Sequence, residues 1–147
     1  MMGAGEKMNR LALQQLNKAY QQDALEASVY GASPIGLIVM LYEGAISALR
    51  KAQAEIAKNN FIEKGRLIGK GMEIINGLDN VLNLEKGGEV SGNLRELYIY
   101  MKHRLGVANM KNDAQILEEV IVLLDELLGA WRQLDKMQGA GSRVGQV

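Results

Sequence analysis

Ser33-Pro34-Ile35-Gly36-Leu37-Ile38-Val39-Met40-Leu41-Tyr42-Glu43-Gly44-Ala45-Ile46 is the stretch that decides the fold. Ser33 can cap a helix, because its side-chain oxygen accepts from an otherwise unpaired amide of the first turn, and Pro34 has no amide to leave unpaired there. The spacing predicts a helix from Pro34 to about Ala57. At roughly 100° per residue, Ile38, Leu41, Tyr42, Ala45, Leu49, Ala52 and Ile56 fall on one side and form a complete core stripe. Leu37 and Met40, with Gly44 beside them, point elsewhere. A surface helix normally carries one apolar stripe, so either a neighbouring helix covers this surplus or a partner uses it.

Three more periodic segments follow. Asn59 and Asn60 interrupt the first helix, and Asn60 with Glu63 three residues later reads as an Asn-type capping box that opens a second one. Its stripe is Phe61, Ile68, Met72, Ile75, Leu78 and Leu82, widened by Leu67, Ile74 and Val81. Gly87 and Gly88 supply the backbone freedom expected to end it. Gly65, Gly69, Gly71 and Gly77 lie inside this helix and predict local softness, since each costs about 1 kcal/mol relative to alanine. The Gly65 and Gly69 pair is also compatible with a close helix approach. A third helix from about Ser91 turns Leu94, Leu97, Tyr98, Met101, Leu105 and Ala108 inward and stops before Asn112. Its far side carries Ile99, Tyr100, Val107 and Met110 around the lone His103, a second apolar surplus. Asn112 or Asp113 then caps a fourth helix, whose face of Ile116, Leu117, Val120, Ile121, Leu123, Leu124, Leu127, Leu128, Trp131 and Leu134 is wide enough to need two neighbours.

Long helices joined by short connections predict an all-α fold, an antiparallel up-and-down four-helix bundle with an N-terminal arm or short helix. The low aromatic content and single proline agree with an all-helical chain. The expected organisation is an arm over residues 1–32, partly mobile and able to pack on the bundle, a bundle over 33–137, and a disordered tail over 138–147. One domain of 147 residues buries enough surface without a metal or disulfide.

Composition removes several functional classes. With no cysteine, thiolate zinc sites, disulfides and cysteine nucleophiles are excluded. Seventeen basic residues balance seventeen acidic ones, so no broad positive field favours nucleic acid. The longest uncharged apolar run, Ile35 to Tyr42, is far short of the roughly 20 residues needed to cross a bilayer. The N-terminal sequence lacks a basic segment followed by an apolar core, so no secretory leader is expected. His103 has Tyr100, not a glutamate, three residues before it, so the Glu-x-x-His pairs of bundle di-iron sites are absent. No Gly-x-x-x-x-Gly-Lys-Ser/Thr loop occurs. Glu118, Glu119, Asp125 and Glu126 read as a solvated face of the fourth helix. The expectation is a binding protein with no catalytic residues, no metal and no cofactor.

A longer pattern sharpens this reading. Ser33-Pro34, Leu37-Ile38, Met40 to Ile46, Gly87-Gly88-Glu89, Asn93-Leu94, Leu97-Tyr98-x-Tyr100-Met101, Ala108-Asn109, Asp113 and Ala130-Trp131 occur in order between Tyr20 and Leu134. In this the chain resembles the flagellar secretion chaperones of the FliS type. The resemblance implies a cytoplasmic antiparallel bundle that binds a helical segment from the C-terminal region of flagellin and keeps it monomeric for the export apparatus. A co-chaperone is a further expected partner of such a protein. It also places the segment around Tyr20 against the bundle, where Tyr20 would cover part of the client groove. The arm from Met8 to Lys18 is longer than the family pattern.

The client contact is expected at Leu37, Met40, Leu41, Tyr42 and Ile46 of the first helix and at Ile99, Tyr100 and Val107 of the third. Leu41 and Ile46 are also placed to pack. The competing reading is a homo-oligomeric helical module that uses the same faces for self-association.

Overall fold

The computed structural model describes residues 33–82 and 84–146, with side chains described for 33–82 and 87–138. Tyr20 and the arm of residues 1–32 lie outside the described residues. Four helices follow in order: α1 Pro34–Ala57, α2 Phe61–Asn80, α3 Leu84–Lys111 and α4 Ala114–Gln146.

The start of α1 is built by its cap. The Gly36 amide donates to Ser33 Oγ at 3.0 Å, and the Leu37 amide donates to the Ser33 carbonyl at 2.8 Å. The Ser33 hydroxyl also donates to Asp135 Oδ1 on α4 at 3.3 Å, which fixes the relative height of the two helices. Further along, Glu43 meets Arg132, and Gln53 donates to Glu118 and to the Ala114 carbonyl. These contacts descend α4 as they ascend α1, so the two helices run antiparallel. Lys64 with Asn109, Asn76 with Lys102, and Asp79 with Arg95 give the same sense for α2 and α3. Each of α1 and α3 packs on both α2 and α4, which completes the ring of an antiparallel bundle.

Two local expectations are corrected. Asn60 makes no side-chain cap: its amide already donates to the Glu55 carbonyl at 2.9 Å, so Glu63 has no free amide to reach back to and pairs with Arg66 instead. Asn59, at φ 57°, makes the turn. The second helix ends at Asn80, before the glycine pair, closed by the shortened bond from the Leu82 amide to the Asp79 carbonyl at 3.3 Å. Val81 and Leu82 still pack on the core from the connector, so apolar spacing ran through the turn without marking it. Gly88, at φ 52° and ψ −124°, breaks α3 near its beginning. The backbone of α4 continues to Gln146, through most of the segment expected as a tail.

At the other junction Asn112 takes φ 52°, and Asp113 is the cap of α4, its Oδ1 accepting from the amides of Gln115 at 2.9 Å and Ile116 at 3.2 Å. The buried Lys64 Nζ donates to the Asn109 carbonyl at 2.8 Å and to Asn112 Oδ1 at 2.7 Å. It thereby serves a carbonyl that the end of α3 leaves without a helical partner and places positive charge where the helix dipole favours it. Among the glycines of α2, Gly71 is the close approach: a Cβ there would stand 2.9 Å from Leu49 Cδ2 of α1. Gly65 and Gly69 make no such contact. No helix among the described residues is long and apolar enough to cross a membrane.

Candidate functional site

The centre of the bundle is aromatic. Tyr42 of α1 and Tyr98 of α3 are fully buried, their hydroxyls hydrogen-bonded to each other. The Tyr42 ring centroid lies 6.4 Å from those of both Tyr98 and Trp131. Burial pushes the Tyr42 hydroxyl pKa up against the smaller opposing effect of its hydrogen-bonding neighbours Tyr98 and Trp131. Burial does the same to Tyr98, reinforced by the nearby Tyr42. Both phenols are thus held neutral, each satisfying the other's polar end inside an apolar core. Leu41 and Ile46 belong to the same buried cluster. Leu41, Tyr42 and Ile46, expected as partner contacts, are buried in the described bundle and pack its core.

Position 100 lies two residues beyond Tyr98, about 200° around the helix, and Tyr100 is 46% exposed. Its hydroxyl donates to Glu119 of α4, and Arg104 donates to the same carboxylate through Nη2 at 3.1 Å. These two donors, Tyr100 first, hold the Glu119 carboxyl below the usual carboxylate range. The hydrogen bond to Glu119 in turn raises the Tyr100 pKa. This bridge spans an open groove of about 640 Å³ between α3 and α4, where Tyr100, Ile116, Val122 and Leu123 supply apolar surface and Arg104, Gln115, Glu118 and Glu119 the polar part of the lining. At helical spacing the same flank of α4 continues through the partly buried Leu127 to Leu134, which is 39% exposed. The α1–α4 groove is more charged, lined by Glu43, Arg50, Lys51, Asp125 and Arg132 beside Ile46, Ser47 and Leu128.

Of the remaining expected contacts, Ile99 is exposed on the outer face of α3, while Val107 and Leu37 are partly buried against the core. Met40 is partly buried on α1. Because α1 and α3 stand across the ring from each other, Leu37 and Met40 do not join Tyr100 in one groove. The α4 side of that groove, Val122 with Leu123, was missed by the sequence reading. The signal was present in the breadth of the α4 stripe, which was assigned entirely to neighbouring helices. Among the described residues no three His, Asp or Glu side chains converge as a metal site would require.

An antiparallel helical bundle with a groove open along its α3–α4 flank is the architecture of a helical module with no catalytic constellation among the described residues. Comparison with known proteins identifies which kind. The family described as flagellar protein FliS matches residues 16–138. The chain is 48% identical over 118 residues to the flagellar secretion chaperone FliS of Salmonella typhimurium, covering 80% of this chain and 87% of that protein. It is 45% identical over 114 residues to the flagellar secretion chaperone FliSB of Pseudomonas aeruginosa, covering 78% and 90%. With FliS of Bacillus subtilis the identity is 35% over 123 residues, covering 84% and 88%. The chain belongs to the FliS family of flagellar secretion chaperones, a family of chaperones acting in flagellar export and not of enzymes.

Proposed function

We propose that this chaperone binds the C-terminal region of flagellin in the α3–α4 groove, in the cytoplasm, and keeps it unpolymerised until it is passed to the export apparatus. The single observation that carries this reading is the apolar groove left open beside a complete core, in a chain of the FliS family. A segment that assembles into a filament exposes, as a monomer, apolar residues that the polymer later buries, and an amphipathic helix formed from it can lay those residues into such a groove. Ordering the client consumes part of the contact free energy, so the complex stays releasable despite a large interface. Tyr100, Val122 and Leu123 line the central contact, with Leu134 extending it. Ile99 and Val107 on α3, and Leu37 and Met40 on α1, are secondary contacts for a client that wraps beyond one groove. Tyr20 is proposed to shield part of this surface when no client is present.

Titration with a peptide covering a flagellin C-terminus, followed by amide exchange on both partners, tests the proposal. Protection is expected on the peptide and along the groove-facing turns of α3 and α4, and Tyr100→Asp should raise the dissociation constant at least tenfold. Met40→Asp should have the smaller effect. Light scattering that shows a stable homo-oligomer and no heterologous complex would instead establish the self-associating module.

A further inference from the structure

The four helices are not held in the same way. Over its 24 residues α1 buries Val39, Leu41, Tyr42, Ala45, Ile46, Ala48, Leu49 and Ala52. At 28 residues α3 is longer, yet its described side chains give the buried apolar core only Tyr98, Met101, Leu105 and Ala108, all from its second half. Polar bridges along both flanks supply further attachment. Arg95 Nε donates to Asp79 Oδ1 of α2 at 3.1 Å, Lys102 Nζ donates to Asn76 Oδ1 of α2 at 2.9 Å, and Tyr100 and Arg104 share Glu119 of α4. Each of these bridges is exposed or part-buried, so water can take the place of either partner at small cost.

Both ends of α3 are built as pivots. Gly88 takes φ 52° and ψ −124°, a combination that glycine adopts without steric cost, and Asn112 takes φ 52°, where asparagine is one of the tolerated residues. Element-terminal residues of this kind absorb the backbone rotation when a helix moves as a body. One buried contact opposes release. Lys64 Nζ grips the last turn of α3 through the Asn109 carbonyl and the pivot itself through Asn112 Oδ1, with the Phe61 ring centroid 5.8 Å away. We propose that α3, from about Glu89 to Lys111, undocks and redocks as one unit between the Gly88 and Asn112 pivots, with Lys64 as the latch at its C-terminal end. The undocked form is a minor state, since it separates Tyr98 from Tyr42, while α1, α2 and α4 stay packed on one another. The motion belongs to the chain itself, with or without a client. The α3–α4 groove then has two widths, and a partner that prefers one of them shifts the equilibrium by its differential affinity.

Native-state amide exchange on the full chain over a series of low urea concentrations tests this. The amides of residues 92–108 should share one opening, populated about tenfold or more above the global unfolding that exposes the slowest amides of α1. That opening should also depend less on urea, because it uncovers less surface. Amides of α3 that follow the same urea dependence as those of α1 overturn the proposal. Ile46 lies between α1 and α4, in a contact the undocked form retains. Ile46→Val should therefore speed exchange of the slowest α1 amides about threefold or more and leave the α3 amides unchanged. Equal acceleration of both overturns the independent unit. Lys64→Met keeps the length of the side chain and removes the ammonium, and should speed α3 exchange about tenfold or more. Asn112→Gly is the milder variant should Lys64→Met fail to fold: it keeps the left-handed turn, removes one latch acceptor and should speed α3 exchange about threefold. An α3 exchange rate unmoved by the latch variant that folds overturns the latch.

Discussion

Tyr98 and Tyr100 are two residues apart on one helix, and the bundle gives them opposite tasks. Tyr98 is 1% exposed and spends its hydroxyl on Tyr42, while Tyr100 is 46% exposed and spends its hydroxyl on Glu119. The first bond joins two neutral groups in a dry core. The second places a phenol on a carboxylate at the rim of a groove, where water competes for both partners. A buried hydroxyl without a partner costs its full desolvation, whereas an exposed one is rehydrated at once. The same side chain is therefore structural at one position and available for binding at the other.

Substitutions can break this contrast, and the largest effect is expected at the core. Tyr98→Ala should lower stability by about 3–5 kcal/mol, the range for removing a buried ring, as read by urea unfolding. Tyr100→Ala should leave the unfolding midpoint nearly unchanged and weaken client binding. A rise in midpoint sensitivity at Tyr100 equal to that at Tyr98 would erase the distinction.

The next effect isolates the hydroxyls. Tyr98→Phe leaves the Tyr42 hydroxyl buried without its phenol partner and should cost about 1–3 kcal/mol. Adding Tyr42→Phe should recover part of that loss, and a double-mutant cycle measures the coupling. Alkaline pH probes the same pair. Both folded pKa values are raised, so their contribution is fully present below the ordinary tyrosine pKa of about 10 and is lost as pH rises above it. Absorbance at the tyrosinate band should show Tyr42 and Tyr98 ionising only as the chain unfolds, with Tyr100 separable from them by the Tyr100→Phe variant.

The smallest effect belongs to the rim. Glu119→Gln should move the thermal midpoint by no more than roughly 2 °C, as exposed ion pairs contribute little. Because the folded pKa of Glu119 is lowered, its contribution is present above the ordinary carboxylate value and fades as pH falls through the folded value. The midpoint difference between the two proteins should therefore vanish in acid. A difference that persists there would show that Glu119 acts through packing.

Much of the architecture was legible because it is local. Ser33 with Pro34, and Asp113, act within one turn of their own position, so the starts of α1 and α4 could be read from residue type alone. The second helix was overrun because Val81 and Leu82 keep the apolar rhythm while the backbone is already turning. The capping box at Asn60 was lost for a different reason, since its amide belongs to the end of α1. Tyr100 and Ile99 are exposed, as their angle to the α3 stripe implies. Tyr42 fits a core stripe and a spare face equally well in sequence, and only Tyr98 and Trp131 placed against it show that it is buried.

Helix number, helix phase and the existence of surplus apolar surface were fixed by the order of residues, because each depends on neighbours three or four positions away. Which part of that surplus stays uncovered was decided only in three dimensions. Burial depends on atoms brought from distant parts of the chain, and here the pairing of α3 with α4 leaves one flank open while Tyr42, Leu41 and Ile46 are enclosed.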